Sequence, residues 1–182
     1  MVESALQFAA VAHKGQLRKG GRIPYFAHVL EASGIVHKIS DEAELIAAAA
    51  LHDVVEDAGV TVDELRERFG DHVADLVASV SENKRSHLPA AETWEIRKKE
   101  ALEALREAGL ETKTLVLGDK LSNMRSCKRD HDVEGDAMWE KFNCKDKRMQ
   151  KRYYHDVLDA LGELSDTYAY KELKTLIDDV FE

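Results

Sequence analysis

The chain has 182 residues, of which 44% are hydrophobic and 34% are charged, and its formal net charge is −9. The acidic balance argues against a protein that coats nucleic acid, but it leaves room for a small anionic ligand, because local charge governs such binding. No apolar run reaches the roughly 20 residues of a membrane helix, and the N-terminus lacks the basic start of a signal peptide. We therefore expect a globular, cytoplasmic protein in which Cys127 and Cys144 stay reduced.

Helical patterns fill almost the whole chain, because only two prolines and ten glycines interrupt it. In chain order, the patterns predict helices over residues 2–14, 24–39, 41–59, 61–69, 71–80, 92–108, 111–127, 136–163 and 166–181. Asp41 and the Thr61–Glu64 capping box are predicted to start the third and fourth helices. The predicted loops are the basic Gly-rich residues 15–23 and the polar residues 82–91 and 130–136. With no repeat and no long linker, residues 1–182 are expected to form a single all-α domain, a helical bundle.

The segment IAAAALHDVVEDAG at residues 46–59 places titratable side chains directly after an alanine-rich apolar run. The same dipeptide occurs as His131-Asp132 in a predicted loop and as His155-Asp156 on a predicted solvent-facing helix. His52-Asp53 instead follows an apolar helix, where unpaired charges are costly unless a cation or a partner compensates them. This context favours His52-Asp53, among the three pairs, as metal ligands.

Helical spacing relates two further carboxylates to this pair. Glu56 lies four residues after His52, and Asp57 lies four residues after Asp53. Residues at this spacing project from one side of a helix, about a turn apart. The arrangement suits a metal held by the first pair and a water handled by Glu56 and Asp57.

Two residues elsewhere complete a candidate set of four ligands. His28 lies in the second predicted helix, and Asp119 interrupts the apolar stretch LVLGDKLSN. Two imidazoles and two carboxylates suit Mn²⁺, Fe²⁺ or Zn²⁺, with open positions for water or substrate. The alternative is a salt-bridged set of helix ends in which His28 packs as a core histidine.

Three segments carry a resemblance to a known family: AHKGQLRKGGRIPYFAHVLEAS, AAALHDVVEDAGVTVDELRERFGDHVADLVASVSENK and LVLGDKLSNMRS. Their order and intervals resemble those of RelA/SpoT-type hydrolase domains over residues 9–127. The chain is most similar to the small stand-alone members, the alarmone hydrolases of the Mesh type. The resemblance implies an all-helical HD domain that binds Mn²⁺ through His28, His52, Asp53 and Asp119.

The resemblance also implies the remaining roles, by position. Glu56 and Asp57 match the carboxylates that orient or activate the attacking water. Tyr25 is expected to position the second helix rather than to touch substrate. The implied substrate-binding residues are Arg18 and Lys19 near the nucleotide base and Asn123 near the ribose, with Lys84, Arg97 and Lys98 as weaker candidates for phosphate contacts.

The implied reaction removes the 3′-pyrophosphate of guanosine tetra- or pentaphosphate, (p)ppGpp, as one unit. The alternatives are an NADPH 2′-phosphatase, another nucleotide phosphohydrolase, and a non-catalytic nucleotide-sensing module, against which the pair Glu56-Asp57 argues. Because 182 residues are too few to add the synthetase and regulatory regions of the long members, we expect hydrolysis without synthesis. Two departures from the family pattern, Val29 in place of Pro and Gly118 in place of Ala, leave the ligand positions unchanged.

Overall fold

The computed structural model describes residues 1–182 and is built from α-helices. In chain order they are α1 Val2–Ala12, α2 Phe26–His37, α3 Ala43–Leu51, α4 Val54–Asp57, α5 Val62–Phe69, α6 Asp71–Val80, α7 Ala90–Glu107, α8 Leu110–Glu134, α9 Lys147–Ala160 and α10 Tyr168–Phe181. Two short 3-10 helices span Gly135–Lys141 and Gly162–Leu164. The only extended pairing is a single antiparallel bridge between Leu17 and Pro24, which closes the basic loop. The predicted all-α class is confirmed.

The prediction of one continuous helix over residues 41–59 is wrong, because the chain turns at His52 and Asp53 and so forms two helices, α3 and α4. The His52 Nδ1 atom lies 2.8 Å from the backbone oxygen of Ala49. In an uninterrupted helix that oxygen would accept the N–H of Asp53. The histidine side chain therefore takes the place of a backbone donor and marks the end of α3.

The segment after Cys127 also differs from its prediction. Helix α8 continues through residues 130–134 of the predicted loop and ends at Glu134, before Gly135, whose φ of 58° is left-handed. No glycine or proline occurs between Asp119 and Gly135 to stop the helix earlier. The predicted helix 136–163 is in fact a 3-10 helix followed by α9, which begins after Asp146 caps the N–H of Arg148.

The two predicted N-terminal caps have different outcomes. The Thr61 side chain accepts the backbone N–H of Glu64 at 3.1 Å, so the predicted cap of α5 is confirmed. The Asp41 cap is wrong, because α3 starts after Glu42 without a side-chain cap and Ser40 accepts the N–H of Glu42 instead.

Two hydrophobic clusters fill the interior. One gathers α1, α3, α5 and α6 around the alanine-rich face of α3, and the other joins α8, α9 and α10 through Trp139, Tyr153 and Tyr154. Helices α2 and α8 contribute to both clusters. Val36 and Leu115 belong to the cluster around α3, and Ile35 and Leu117 belong to the other cluster. Both cysteines are free and buried. None of the helices combines the length and apolar character that a membrane crossing requires.

Helices α2 and α8 pack most closely at Gly118. A Cβ atom at this position would lie 2.7 Å from Val36 Cγ2 and 3.0 Å from the backbone oxygen of Ala32. Only glycine therefore permits this separation of the two helix backbones. Since His28 lies on α2 and Asp119 on α8, the approach also sets the distance between two of the predicted ligands.

Replacing Gly118 by alanine tests this close approach. Gly118→Ala should lower the free energy of unfolding by about 1–3 kcal/mol, the usual cost of overpacking. The matched control is Gly34→Ala in α2, where an added Cβ meets nothing within 4 Å. That change should instead raise stability by up to about 1 kcal/mol through helix propensity. Urea unfolding followed by circular dichroism measures both; equal stabilisation by the two substitutions would contradict the packing.

Candidate metal centre and substrate cleft

Three elements bring the predicted ligands to one point. His28 from α2, His52 from the turn after α3 and Asp119 from α8 each offer a ligand atom, and these atoms all lie within 4.8 Å of one another. The Asp119 Oδ1 atom is 3.3 Å from His28 Nε2 and 3.7 Å from His52 Nε2. The Asp53 Oδ2 atom lies 3.5 Å from His28 Nε2 and 3.0 Å from His52 Nε2. The turn at His52 thus points the His-Asp pair at the other two residues.

The hydrogen bonds of the two imidazoles leave both Nε2 atoms directed at this point. His52 Nδ1 contacts the carbonyl oxygen of Ala49, which can only accept, so the proton sits on Nδ1. His28 Nδ1 lies 2.9 Å from the hydroxyl of Ser122. The Nε2 atoms of both histidines are buried and have no hydrogen-bond partner. Buried nitrogens without a partner are costly, and a divalent cation between them would satisfy both.

The charges of the cluster also call for a cation. Burial alone would raise the pKa of Asp53 and Asp119, but the two imidazoles, together with Lys120 beside Asp119, hold both well below the usual range. Burial alone would lower the pKa of His52, yet the same two carboxylates raise it well above its ordinary value. A bound cation would supply positive charge to these carboxylates directly.

Tyr25, expected to position α2 rather than to touch substrate, also takes part in this cluster. Its hydroxyl donates to Asp53 Oδ2 at 2.6 Å and lies 3.3 Å from Asp57 Oδ2. Its ring lies 4.9 Å from that of His13, whose Nδ1 is 2.8 Å from Gln16. Tyr25 thus connects the basic loop to a predicted ligand and to a predicted water-handling carboxylate.

Glu56 and Asp57 lie beside the cluster in different environments. Burial raises the pKa of Glu56 to about 7, with the Asp53 carboxylate acting in the same direction, although its Oε1 accepts the Glu82 N–H at 2.6 Å. Asp57 forms a close ion pair with Lys84, whose Nζ also lies 3.7 Å from Glu56 Oε2. The raised pKa suits Glu56 to take a proton near neutral pH.

Arg18 and Asn123 border the site next to Asp119 and Tyr25. The Arg18 guanidinium donates to Asn123 Oδ1 at 2.6 Å and lies 5.5 Å from the centre of the Tyr25 ring. The Asn123 amide nitrogen donates to Asp119 Oδ1. These contacts tie the basic loop to the last predicted ligand, so the loop lies over the site.

Four cations converge on the same space. Partial desolvation and the nearby charges of Lys98, Arg97 and Lys84 lower the pKa of Lys19, which still has an exposed surface. Arg97 and Lys98 both donate to the Glu82 carboxylate, at 2.8 and 2.6 Å. Arg97 is only 8% exposed, so it is the least available of the four to a ligand. The convergence creates a positive region beside the acidic cluster.

All the predicted site residues except His28 line one cleft of about 990 Å³. His28 is 3% exposed and reaches the cluster from beneath the cleft. The other His-Asp pairs lie elsewhere: His131 pairs with Asp136, and His155 is exposed on α9. The structure thus brings the predicted ligands, carboxylates and cations together and leaves out both alternative pairs.

Three residues at the site were missed from the sequence. The Glu82 carboxylate forms ion pairs with Arg97 and Lys98, and its backbone N–H donates to Glu56. Glu82 lies in a loop, where no helical spacing relates it to the predicted site residues. Ser122 and Glu31 form hydrogen bonds behind His28. A signal existed for the latter two, because each lies three residues after a predicted ligand on the same helix.

Comparison with known proteins agrees with this geometry. The model of the family described as "HD domain" matches residues 5–143. The guanosine-3′,5′-bis(diphosphate) 3′-pyrophosphohydrolase MESH1 of Drosophila melanogaster is 33% identical, over 97% of this chain and 90% of that protein. A solved structure described as a metazoan ortholog of SpoT that hydrolyses ppGpp is 28% identical, with a TM-score of 0.73 over 99% of this chain and 93% of that one.

Longer proteins match as well. A GTP pyrophosphokinase of Myxococcus xanthus is 30% identical over 99% of this chain, but the match spans only 22% of that protein's length. The family match covers most of the chain, and the Drosophila relative aligns along nearly all of it. The chain therefore belongs to the HD-domain family, and within that family it is a relative of the stand-alone alarmone hydrolases of the Mesh type.

Proposed function

We propose that the protein is a metal-dependent hydrolase that releases pyrophosphate from the 3′ position of (p)ppGpp and leaves GDP or GTP. The observation that carries this proposal is the pair of buried, unpartnered Nε2 atoms of His28 and His52, which meet Asp119 beneath a cleft lined by cations. The activity in the name of the Drosophila relative supports the same reaction. The protein is expected to act as one domain in the cytoplasm, and α8, shared by both hydrophobic clusters, supports a single domain.

The proposed metal is Mn²⁺, and Fe²⁺ or Zn²⁺ would suit the same mixed nitrogen and oxygen ligands. Its ligands would be His28, His52, Asp53 and Asp119, with Tyr25 orienting the Asp53 carboxylate through its hydroxyl. When bound, the cation would supply the positive charge that polarises a phosphoryl oxygen and activates water.

Glu56 is proposed to accept the proton of the attacking water. The raised pKa of its carboxyl, about 7, makes it a stronger base than an exposed glutamate. Attack of the water on the phosphorus breaks its bond to the ribose 3′ oxygen. That oxygen leaves as the hydroxyl by taking the proton back from the Glu56 carboxyl, and the water oxygen stays on the released pyrophosphate. Asp57, held by Lys84 and Tyr25, orients the water from the other side.

The cations of the cleft would neutralise a substrate that carries at least two phosphate chains. Lys19, Lys84 and Lys98 would exchange their present partners, among them Asp57 and Glu82, for phosphate oxygens. Arg97 would stay behind Glu82 and position it. Arg18 and Asn123 remain the proposed contacts of the base and the ribose. This local positive charge is how a chain with a net charge of −9 could bind a polyanion.

A substrate panel tests the proposed reaction. The metal-stripped protein is incubated with ppGpp, NADPH and other nucleotides, with and without Mn²⁺, and the products are separated by ion-exchange chromatography. The expected result is pyrophosphate and GDP from ppGpp, and only with metal. Inorganic phosphate from NADPH as the main product, or tight binding without turnover of any nucleotide, would contradict the proposal.

Two substitutions separate metal binding from proton transfer. Asp53→Ala should abolish both Mn²⁺ binding and hydrolysis, because it removes a ligand. Glu56→Gln should keep the bound metal yet lower kcat by about 10²–10⁴-fold, the usual contribution of a general base. Asp156→Ala, in an alternative His-Asp pair, is the control and should change neither metal content nor kcat. A Glu56→Gln variant with full activity would exclude the assigned role.

Neighbouring lysines test the phosphate site. Lys98 lies in the cleft and donates to Glu82, whereas Lys99 points to solvent with a side chain 74% exposed. Lys98→Ala should raise KM about tenfold or more, since a charge-assisted hydrogen bond contributes about 1.5–3 kcal/mol, and should leave kcat nearly unchanged. Lys99→Ala should leave both constants unchanged. Steady-state kinetics with ppGpp decides; equal effects of the two substitutions would remove Lys98 from the site.

A further inference from the structure

His28 is supported from behind by a hydroxyl and a carboxylate. Its Nδ1 atom lies 2.9 Å from Ser122 Oγ, and the same hydroxyl donates to Glu31 Oε2 at 2.7 Å. Because a serine hydroxyl has one proton and gives it to Glu31, it must accept from His28 Nδ1–H. The His28 proton is thereby held on Nδ1, and the lone pair of Nε2 faces the metal centre.

The two helices that supply ligands also supply this support. Glu31 lies three residues after His28 on α2, and Ser122 lies three residues after Asp119 on α8. Each helix therefore presents a ligand and a supporting residue about one turn apart on the same face. Ser122 is only 1% exposed, so water cannot readily replace its hydroxyl as the partner of His28.

An ion-pair chain extends the support to the last helix. The Arg125 guanidinium donates to Glu31 Oε1 at 3.0 Å through Nη1. Its Nε and Nη2 atoms donate to the two carboxylate oxygens of Glu172 on α10, both at 2.7 Å. This bidentate contact fixes the guanidinium, and the guanidinium in turn fixes the Glu31 carboxylate.

We propose that Ser122 and Glu31 are positioning residues that set the ring orientation and tautomer of His28 and thereby the affinity of the site for its metal. Arg125 and Glu172 anchor Glu31 and so link α10 to the metal centre. A carboxylate behind a histidine ligand makes the opposite nitrogen a better donor, and loss of such support usually weakens metal binding about 10–100-fold. The inference rests on the metal site of the proposed function and adds residues that do not themselves touch the metal.

The test is a titration of the metal-stripped protein with Mn²⁺, in which electron paramagnetic resonance measures the free ion. Ser122→Ala should raise the Kd for Mn²⁺ about 10–100-fold. The matched control is Ser33→Ala. Ser33 is also buried but lies on α2, and its hydroxyl donates to the Ile46 carbonyl oxygen at 3.2 Å, outside this chain of contacts. Its Kd should equal that of the unchanged protein. Ser122→Thr keeps the hydroxyl and should restore most of the affinity.

Glu31→Gln provides a second and milder measurement. The amide keeps the shape of the side chain but removes its charge, so the Kd should rise by less than in Ser122→Ala. This variant decides the matter if Ser122→Ala does not fold, which urea unfolding of each protein reveals. If the protein without substitutions binds Mn²⁺ and a folded variant binds it with the same Kd, this inference alone is overturned. If the unchanged protein binds no Mn²⁺, the proposed metal site fails and the inference fails with it.

Discussion

Helices α2 and α8 approach each other so closely at Gly118 that no side chain fits between them, and the candidate site depends on this contact. A Cβ at Gly118 would collide with Val36 and with the α2 backbone. The approach places His28 within 3.3 Å of Asp119 and lets Ser122 reach both His28 and Glu31. One helix pair therefore sets the positions of two ligands and of the groups behind them.

Electrostatic balance connects this packing to chemistry. Two half-buried carboxylates meet two buried imidazoles whose Nε2 atoms have no hydrogen-bond partners, an arrangement that a bound cation would stabilise. The adjoining cleft carries Lys84, Arg97 and Lys98, which pair with Asp57 and Glu82. A cation at the ligand cluster and a polyanion at these basic side chains could therefore bind side by side.

Local patterns predicted much of this architecture. The all-α class, the Thr61 cap and the position of α6 follow from short-range periodicity and capping, and the structure confirms them. The turn at His52 was not predictable, because it depends on a side-chain bond to Ala49 that competes with the helix. The length of α8 was underestimated because polar residues are compatible with either a loop or an exposed helix.

Site residues were predictable where the neighbouring sequence distinguished them from other residues of the same type. His52-Asp53 followed a buried helix, and the motif order carried His28 and Asp119. The contacts of Tyr25 and Glu82 join residues far apart in the chain, and no local pattern records them. Ser122 was indicated only by its helical spacing from Asp119. The central claim is that His28, His52, Asp53 and Asp119 hold one divalent cation. Anomalous diffraction from Mn²⁺-loaded crystals tests it most directly. A single strong peak is expected at bonding distance, roughly 2 Å, from both Nε2 atoms and the carboxylate oxygens; a peak elsewhere, or none at this position, would contradict the assignment of these four ligands.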